Sequence, residues 1–189
     1  MPFGLDPSVS SCAREAPACC YLCGVSMFFE EALLLLRDGG VRFIVVGGTA
    51  VILHGVPRTT ADLDLVVDED PANLRLFVSA MTRLGYQPRA PVEASELCDP
   101  ERRRAWITEK GMRAFTFHLP GHPLGDIDVL IDTPISFAEL SLRAERLDAG
   151  GLMLRIASVE DLIRMKVMAG RDQDLADVDA LRRLLGDRP

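Results

Sequence analysis

No stretch of this chain reaches the roughly 18 consecutive apolar residues that a membrane-spanning helix needs. The longest candidates are interrupted by Arg42, Gly47, Gly48 and His54, which argues for a soluble protein. Basic residues are also in short supply: 21 Lys and Arg stand against 28 Asp and Glu, for a formal charge of −7. That balance argues against a broad basic face for duplex nucleic acid, because such a face is built from clustered cations. The first 26 residues lack the basic start and continuous apolar core of a secretory signal, so the reducing cytoplasm is the expected compartment and disulfides are not expected.

Cysteine is scarce outside one place. Of five, Cys12, Cys19, Cys20 and Cys23 fall in that same leader. Their crowding makes a zinc site conceivable, but the spacing matches no paired knuckle. Residues 1–26 therefore read as a disordered leader, with Met27 as the natural start of the fold. Residues 27–189 read as one domain, since a chain of about 100 to 200 residues buries enough apolar surface for a single core. With 48% apolar and 26% charged residues the composition is globular, and it contains no internal repeat or low-complexity segment.

Hydrophobic periodicity then divides the domain. Phe28, Phe29, Ala32, Leu33 and Leu36 recur at helical spacing, and Gly39-Gly40 supplies a stop. Residues 41–46 are β-branched and apolar, a buried strand that runs into Gly47-Gly48 and a short helix over 49–54. A second strand is expected over 61–67 and a helix from Asp70-Pro71 to Leu84, with Asp70 as its cap and Pro71 at its first position. Segment 88–112 is the least legible; Asp99-Pro100 opens a short helix that carries Arg102, Arg103, Arg104 and Trp106, and the arginine run reads as a solvated face or an RNA contact. Strands are expected at 113–118, 126–131 and 152–156, and helices at 137–144, from Ser158 through Met168, and over 172–185. The fold class is α/β (α+β), a mixed sheet flanked by helices.

The chemistry concentrates in Val46-Gly47-Gly48-Thr49-Ala50 followed by Asp62-Leu63-Asp64. Glycines at a strand-to-helix turn let backbone amides approach phosphate oxygens, so Gly48 and Thr49 can hold a triphosphate, with the Thr49 hydroxyl as a further donor. Two aspartates separated by one residue on a strand project side by side, a geometry suited to a divalent metal next to those phosphates. A two-metal site wants a third acid from a neighbouring strand; Asp126 and Asp128 share a face, and Asp128 is preferred because apolar strand residues flank it on both sides. Arg58 either faces the phosphates or is an exposed loop arginine. Lys166 and Arg171 either touch nucleotide or pair with Asp172, Asp174 and Asp177.

The run Gly47-Gly48-Thr49-Ala50, His54-Gly55, Arg58-Thr59-Thr60 and Asp62-Leu63-Asp64, with the later Asp128, resembles the nucleotidyltransferase superfamily of DNA polymerase β type. It is most similar to the AbiEii/AbiGii toxin-type group and its uncharacterised relatives, which Lys166, Ala169-Gly170-Arg171 and Asp174 to Asp177 also resemble. The likeness implies a minimal nucleotidyltransferase fold over about 41–185. It implies Asp62, Asp64 and Asp128 as metal ligands for two magnesium ions, or manganese in their place, with Asp128 also activating the incoming hydroxyl. Gly47, Gly48, Thr49, Arg58 and Lys166 would hold nucleotide. The reaction it implies is transfer of a nucleoside monophosphate from a nucleoside triphosphate to a hydroxyl on RNA, protein or a small molecule, with a cognate toxin or antitoxin as a partner. The chain is short for the toxin enzymes, so the alternative is an inactive nucleotide-binding or partner-binding module of antitoxin type.

Overall fold

The computed structural model describes residues 29–186. The leader 1–26 therefore lies outside the described residues, as do Met27, Phe28 and 187–189. Helix α1 (29–38) buries Phe29, Ala32, Leu33 and Leu36, and the chain turns at Gly39-Gly40 into strand β1 (Phe43–Val45). Helix α2 (Gly47–Leu53) starts two residues earlier than the pattern suggests, so the glycine pair forms its first turn and does not precede it. Strand β2 (Leu63–Val67) leads to α3 (Pro71–Arg83), whose cap Asp70 accepts from the backbone amides of Ala72 and Asn73.

A two-residue edge strand β3 (Gln87–Pro88) and a 3-10 turn (Ala94–Cys98) come next, neither of which periodicity reveals. Asp99 caps α4 (Pro100–Lys110), as its sequence implies. Strands β4 (Ala114–His118) and β5 (Ile127–Leu130), helix α5 (Phe137–Arg143), strands β6 (Glu145–Asp148) and β7 (Met153–Ile156), and helices α6 (Val159–Ala169) and α7 (Asp172–Gly186) complete the chain. Strand β6 is the third element that the sequence pattern does not announce. Among the described residues no helix is long and apolar enough to cross a membrane.

The seven strands form one mixed sheet in the order β3-β4-β5-β2-β1-β7-β6. Its register explains how acids sit in apolar strands. Leu63 pairs with Ile127 and Leu65 with Val129 across the parallel β2–β5 pair, while Phe117 and Phe115 of antiparallel β4 sit opposite Ile127 and Val129. All six are buried. Alternation puts the residues between them, Asp64, Asp128 and Thr116, in a row on the other face. The apolar face is closed by α3 and α4: Phe77 meets Phe117 edge-on at 5.7 Å, and Trp106 stacks on Phe115 at 5.2 Å.

The Arg102-Arg103-Arg104 run is not uniformly solvated. Arg103 is buried and donates to the Leu97 carbonyl and to Glu69, so it ties α4 to the preceding 3-10 turn, whereas Arg102 and Arg104 are exposed.

Candidate active site

An open cavity of about 590 Å³ lies over the acidic face of the sheet. Gly47, Gly48, Arg58 and Thr60 line it together with Asp62, Asp64 and Asp128, and α6, the turn after it and α7 contribute Leu162, Met165, Lys166, Arg171 and Asp174. The glycines are required by contact as well as by conformation. Gly47 has φ of +59°, and a Cβ there would fall on the Asp64 carboxylate. A Cβ on Gly48 would lie 2.8 Å from the Thr60 hydroxyl and 3.0 Å from the Arg58 guanidinium. The Gly48 amide is turned toward the acids and donates to Asp64 Oδ2 at 3.3 Å.

Asp64 and Asp128 are direct neighbours in the β2–β5 register. Burial, and then the Asp128 charge, push the Asp64 carboxyl up to about 6, against the opposing pull of the Gly48 amide. Asp62 lies just before β2 and is exposed; burial first, then the charges of Asp128 and Asp126, raise it as well. Asp128 Oδ1 is buried with no hydrogen-bond partner among the described residues. Asp126 Oδ1 is likewise buried without a partner among the described residues, but Asp126 Oδ2 pairs with Arg89 and the residue stands outside the cavity lining.

Two residues expected at the phosphates are engaged elsewhere. The Thr49 side chain is buried and its hydroxyl donates to the Asp62 carbonyl at 3.2 Å, so it fixes the loop that carries the acids. Lys166 lines the cavity wall, but its buried ammonium donates to Asp174 at 3.1 Å and Asp177 at 2.7 Å, the pairing alternative left open by the sequence. Arg58 also pairs with Asp177, and Arg171 with Asp174. Arg113, Asp132 and Pro134, which no motif singles out, also line the cavity. Their only signal was proximity to the strand ends that carry Asp128.

Residues 25–184 match the family described as "Nucleotidyltransferase of unknown function (DUF6036)". The chain belongs to this nucleotidyltransferase family. No curated protein matches it in sequence. Among solved structures, its fold is similar to lincosamide antibiotic adenylyltransferase LnuA with lincomycin bound, at 13% identity over 84% of this chain and 96% of that one, with a TM-score of 0.56. It is also similar to the antibiotic-resistance factor ANT(2'')-Ia, at 11% identity over 86% of this chain and 85% of that one, TM-score 0.57. A third likeness is to an antigenic nucleotidyltransferase-like protein from Paracoccidioides brasiliensis, at 18% identity over 87% and 76% of the two chains, TM-score 0.51. These likenesses establish the nucleotidyltransferase fold.

Nucleotidyltransferases of this fold imply magnesium, and the donor set of this member fits it. Asp64 and Asp128 are held side by side in the cavity lining, and one Asp128 oxygen lacks a hydrogen-bond partner among the described residues. Among the described residues no three His, Cys, Asp or Glu side chains converge as a ready-made cage. Magnesium does not need one, because it keeps several waters and takes one or two carboxylates plus substrate phosphates.

Proposed function

We propose that this protein transfers a nucleoside monophosphate from a nucleoside triphosphate to a hydroxyl group of a small-molecule acceptor, in a magnesium-dependent reaction. The observation that carries the reading is the in-register pair Asp64–Asp128 under Gly47-Gly48, with a buried carboxylate oxygen left unpartnered. Asp64 and Asp128, with Asp62 at the rim, would hold the metal. Bound there, magnesium would supply charge stabilisation to the entering and leaving oxygens of an in-line displacement.

The chain's own groups have distinct tasks. Gly47 and Gly48 keep Cβ atoms out of the space next to the acids, and Arg58 offers its guanidinium to the triphosphate over Gly48. The acceptor oxygen bonds to the α-phosphorus, the bond to the bridging oxygen of the β-phosphate breaks, and pyrophosphate leaves. Asp128, which lines the cavity, takes the proton that the acceptor hydroxyl gives up.

The small acceptor is favoured over RNA by size and charge. A cavity of about 590 Å³ is in the range of small-molecule sites. The lining carries five aspartates, Asp62, Asp64, Asp128, Asp132 and Asp174, against four basic side chains, of which Arg58, Lys166 and Arg171 are already paired, so it offers no broad cationic face to a polyanion. LnuA and ANT(2'')-Ia are by their names antibiotic-directed, and they supply an analogy of fold for such an acceptor. A toxin–antitoxin role, the finer implication of the AbiEii/AbiGii likeness, would require an RNA acceptor or a partner protein.

The test is incubation of the purified protein and magnesium with each α-labelled nucleoside triphosphate, a panel of hydroxyl-bearing small molecules, and bulk tRNA in parallel. Label on a small molecule with release of pyrophosphate supports the reading. Label on tRNA alone moves the acceptor to RNA, and nucleotide binding without any transfer identifies an inert module.

A further inference from the structure

The last helix reaches back toward the site through two carboxylates, Asp174, which lines the cavity, and Asp177, which holds Arg58. Asp177 on α7 accepts from two cations at the same oxygen, Oδ2: from Lys166 Nζ of α6 at 2.7 Å and from Arg58 Nη1 of the loop before β2. Arg58 and Asp177 are 119 residues apart in the chain. Lys166 is in turn held by Asp174 Oδ1 at 3.1 Å, and Asp174 Oδ2 by Arg171 at 2.7 Å. The Lys166, Asp174 and Asp177 side chains are each at most 8% exposed, and that of Arg58 is 15% exposed.

Three features separate this arrangement from an ordinary helix staple. Three cations meet two carboxylates, so the cluster carries an excess positive charge in spite of its pairing. Its cations Arg58, Lys166 and Arg171 all line the same cavity as Asp64 and Asp128. Finally, the part of Arg58 not bonded to Asp177 is placed with care: Cζ and Nη2 lie 3.0 Å from where a Gly48 Cβ would stand, in contact with the turn that faces the acids. A guanidinium is a planar fork, so anchoring one nitrogen on a buried carboxylate fixes the direction of the other.

We infer that Asp177 is a positioning residue for the triphosphate: buried between Lys166 and Arg58, it holds Arg58 Nη1 so that the Nη2 edge faces the phosphates over Gly48. This rests on the nucleotide reading given under Proposed function. Lys166 then acts as an anchor, not a ligand. It neutralises Asp177 from behind and, through Asp174, locks the carboxylate to the α6–α7 pair. The order of α7 is thereby coupled to phosphate affinity at a site made by the N-terminal half of the fold. Positioning and charge have opposite signs here. Removing a negative charge beside a polyanion site would by itself tighten binding, whereas releasing the Arg58 fork loosens it.

The probes are inorganic tripolyphosphate and ATP, each with magnesium, titrated calorimetrically into the full chain. Arg58→Lys leaves the Lys166–Asp177 pair in place and keeps the charge, but a single ammonium cannot serve Asp177 and the phosphates from two fixed edges. It is expected to weaken both probes about tenfold, the scale of one charged hydrogen bond. Asp177→Asn should weaken both by a similar factor, and combining it with Arg58→Lys should add little further loss. The 15N relaxation of the Arg58 side-chain Nε–H reports on the same point without ligand: ordered in wild type, mobile in Asp177→Asn.

Tighter tripolyphosphate binding by Asp177→Asn would overturn the positioning role in favour of simple charge. Additive losses, or an Arg58 side chain that stays ordered in Asp177→Asn, would overturn it as well. If wild type binds neither probe while its Arg58 is ordered, the nucleotide reading of the site fails, and the inference falls with it for that separate reason. If Asp177→Asn does not fold, Arg58→Lys still decides: unchanged affinity for both probes sinks the proposal.

Discussion

Asp64 and Asp128 face each other in register across the parallel pair β2–β5, and the proximity of Asp128 is the second cause, after burial, of an Asp64 carboxyl raised to about 6. An acid whose folded value lies above its unfolded value of 3.8 binds more protons in the native state, so its contribution to stability falls as pH rises from about 4 to about 6. In chelator the protein is therefore expected to melt at a higher temperature at pH 5 than at pH 7, this group contributing about 1 kcal/mol to the difference in stability. Asp64→Asn should remove that part of the pH dependence. A melting profile whose slope between pH 5 and 7 is the same in wild type and mutant would contradict it.

The same repulsion separates stability from activity. Asp64→Asn keeps the side chain's shape and deletes one charge, so the metal-free mutant should melt at or above the wild-type temperature at pH 7. Transfer should drop to background, since a neutral amide is a poor magnesium ligand. Melting in chelator and labelling in magnesium check the two halves. Unfolding of the mutant would mean that the Gly48 amide bond to Asp64 outweighs the repulsion.

How much of this could be read from the chain depends on how local each cause is. The alternation of Asp62 with Leu63 and Asp64, and of Asp126 with Ile127 and Asp128, is local, and so are the caps Asp70 and Asp99; each reports its own strand face or helix start. The edge strands β3 and β6 were not legible, because a two-residue segment Gln87–Pro88 and a charged one, Glu145–Asp148, become strands through a partner's backbone and not through their own pattern. Thr49 reads as a further phosphate donor because it stands at a helix start after a glycine turn; that its hydroxyl donates to the Asp62 carbonyl has no local signal. The pairing of Arg58 with Asp177 spans most of the domain, and no local signal announces it.

Nucleoside triphosphate should stabilise the protein only in the presence of magnesium, because Asp62, Asp64 and Asp128 would otherwise repel the phosphates. At 100 times its dissociation constant the ligand should add about 2.7 kcal/mol. A thermal-shift titration with and without chelator makes the comparison. Equal stabilisation in both would place the nucleotide away from these acids.

Gly47 has no tolerance for a side chain. Alanine there would adopt the left-handed region at φ of +59° and put its Cβ on the Asp64 carboxylate. Backbone strain alone should cost about 1 to 2 kcal/mol, and displacement of Asp64 should abolish transfer. Denaturant melts and the labelling assay would show both effects. A Gly47→Ala variant with unchanged stability and activity would mean that the turn relaxes without moving the acid.

The choice between Asp126 and Asp128 as the third acid yields the sharpest contrast, because the two share an alternation and differ in surroundings. Asp126 is paired with Arg89, whose side chain is 57% exposed, and it stands outside the cavity lining. A pair with one exposed partner contributes about 0 to 1 kcal/mol, so Asp126→Asn should lower stability only slightly and leave transfer within a few-fold of wild type. Asp128 faces Asp64 and Thr116 and lines the cavity. Asp128→Asn should abolish transfer and, by removing the second largest cause of the raised Asp64 carboxyl, bring that carboxyl closer to its ordinary value. Carboxyl 13C shifts of Asp64 followed through a pH titration, together with labelling of the two variants, measure this directly. Loss of transfer in Asp126→Asn with activity kept in Asp128→Asn would reverse the assignment. An Asp64 titration unchanged by Asp128→Asn would show that burial alone raises it.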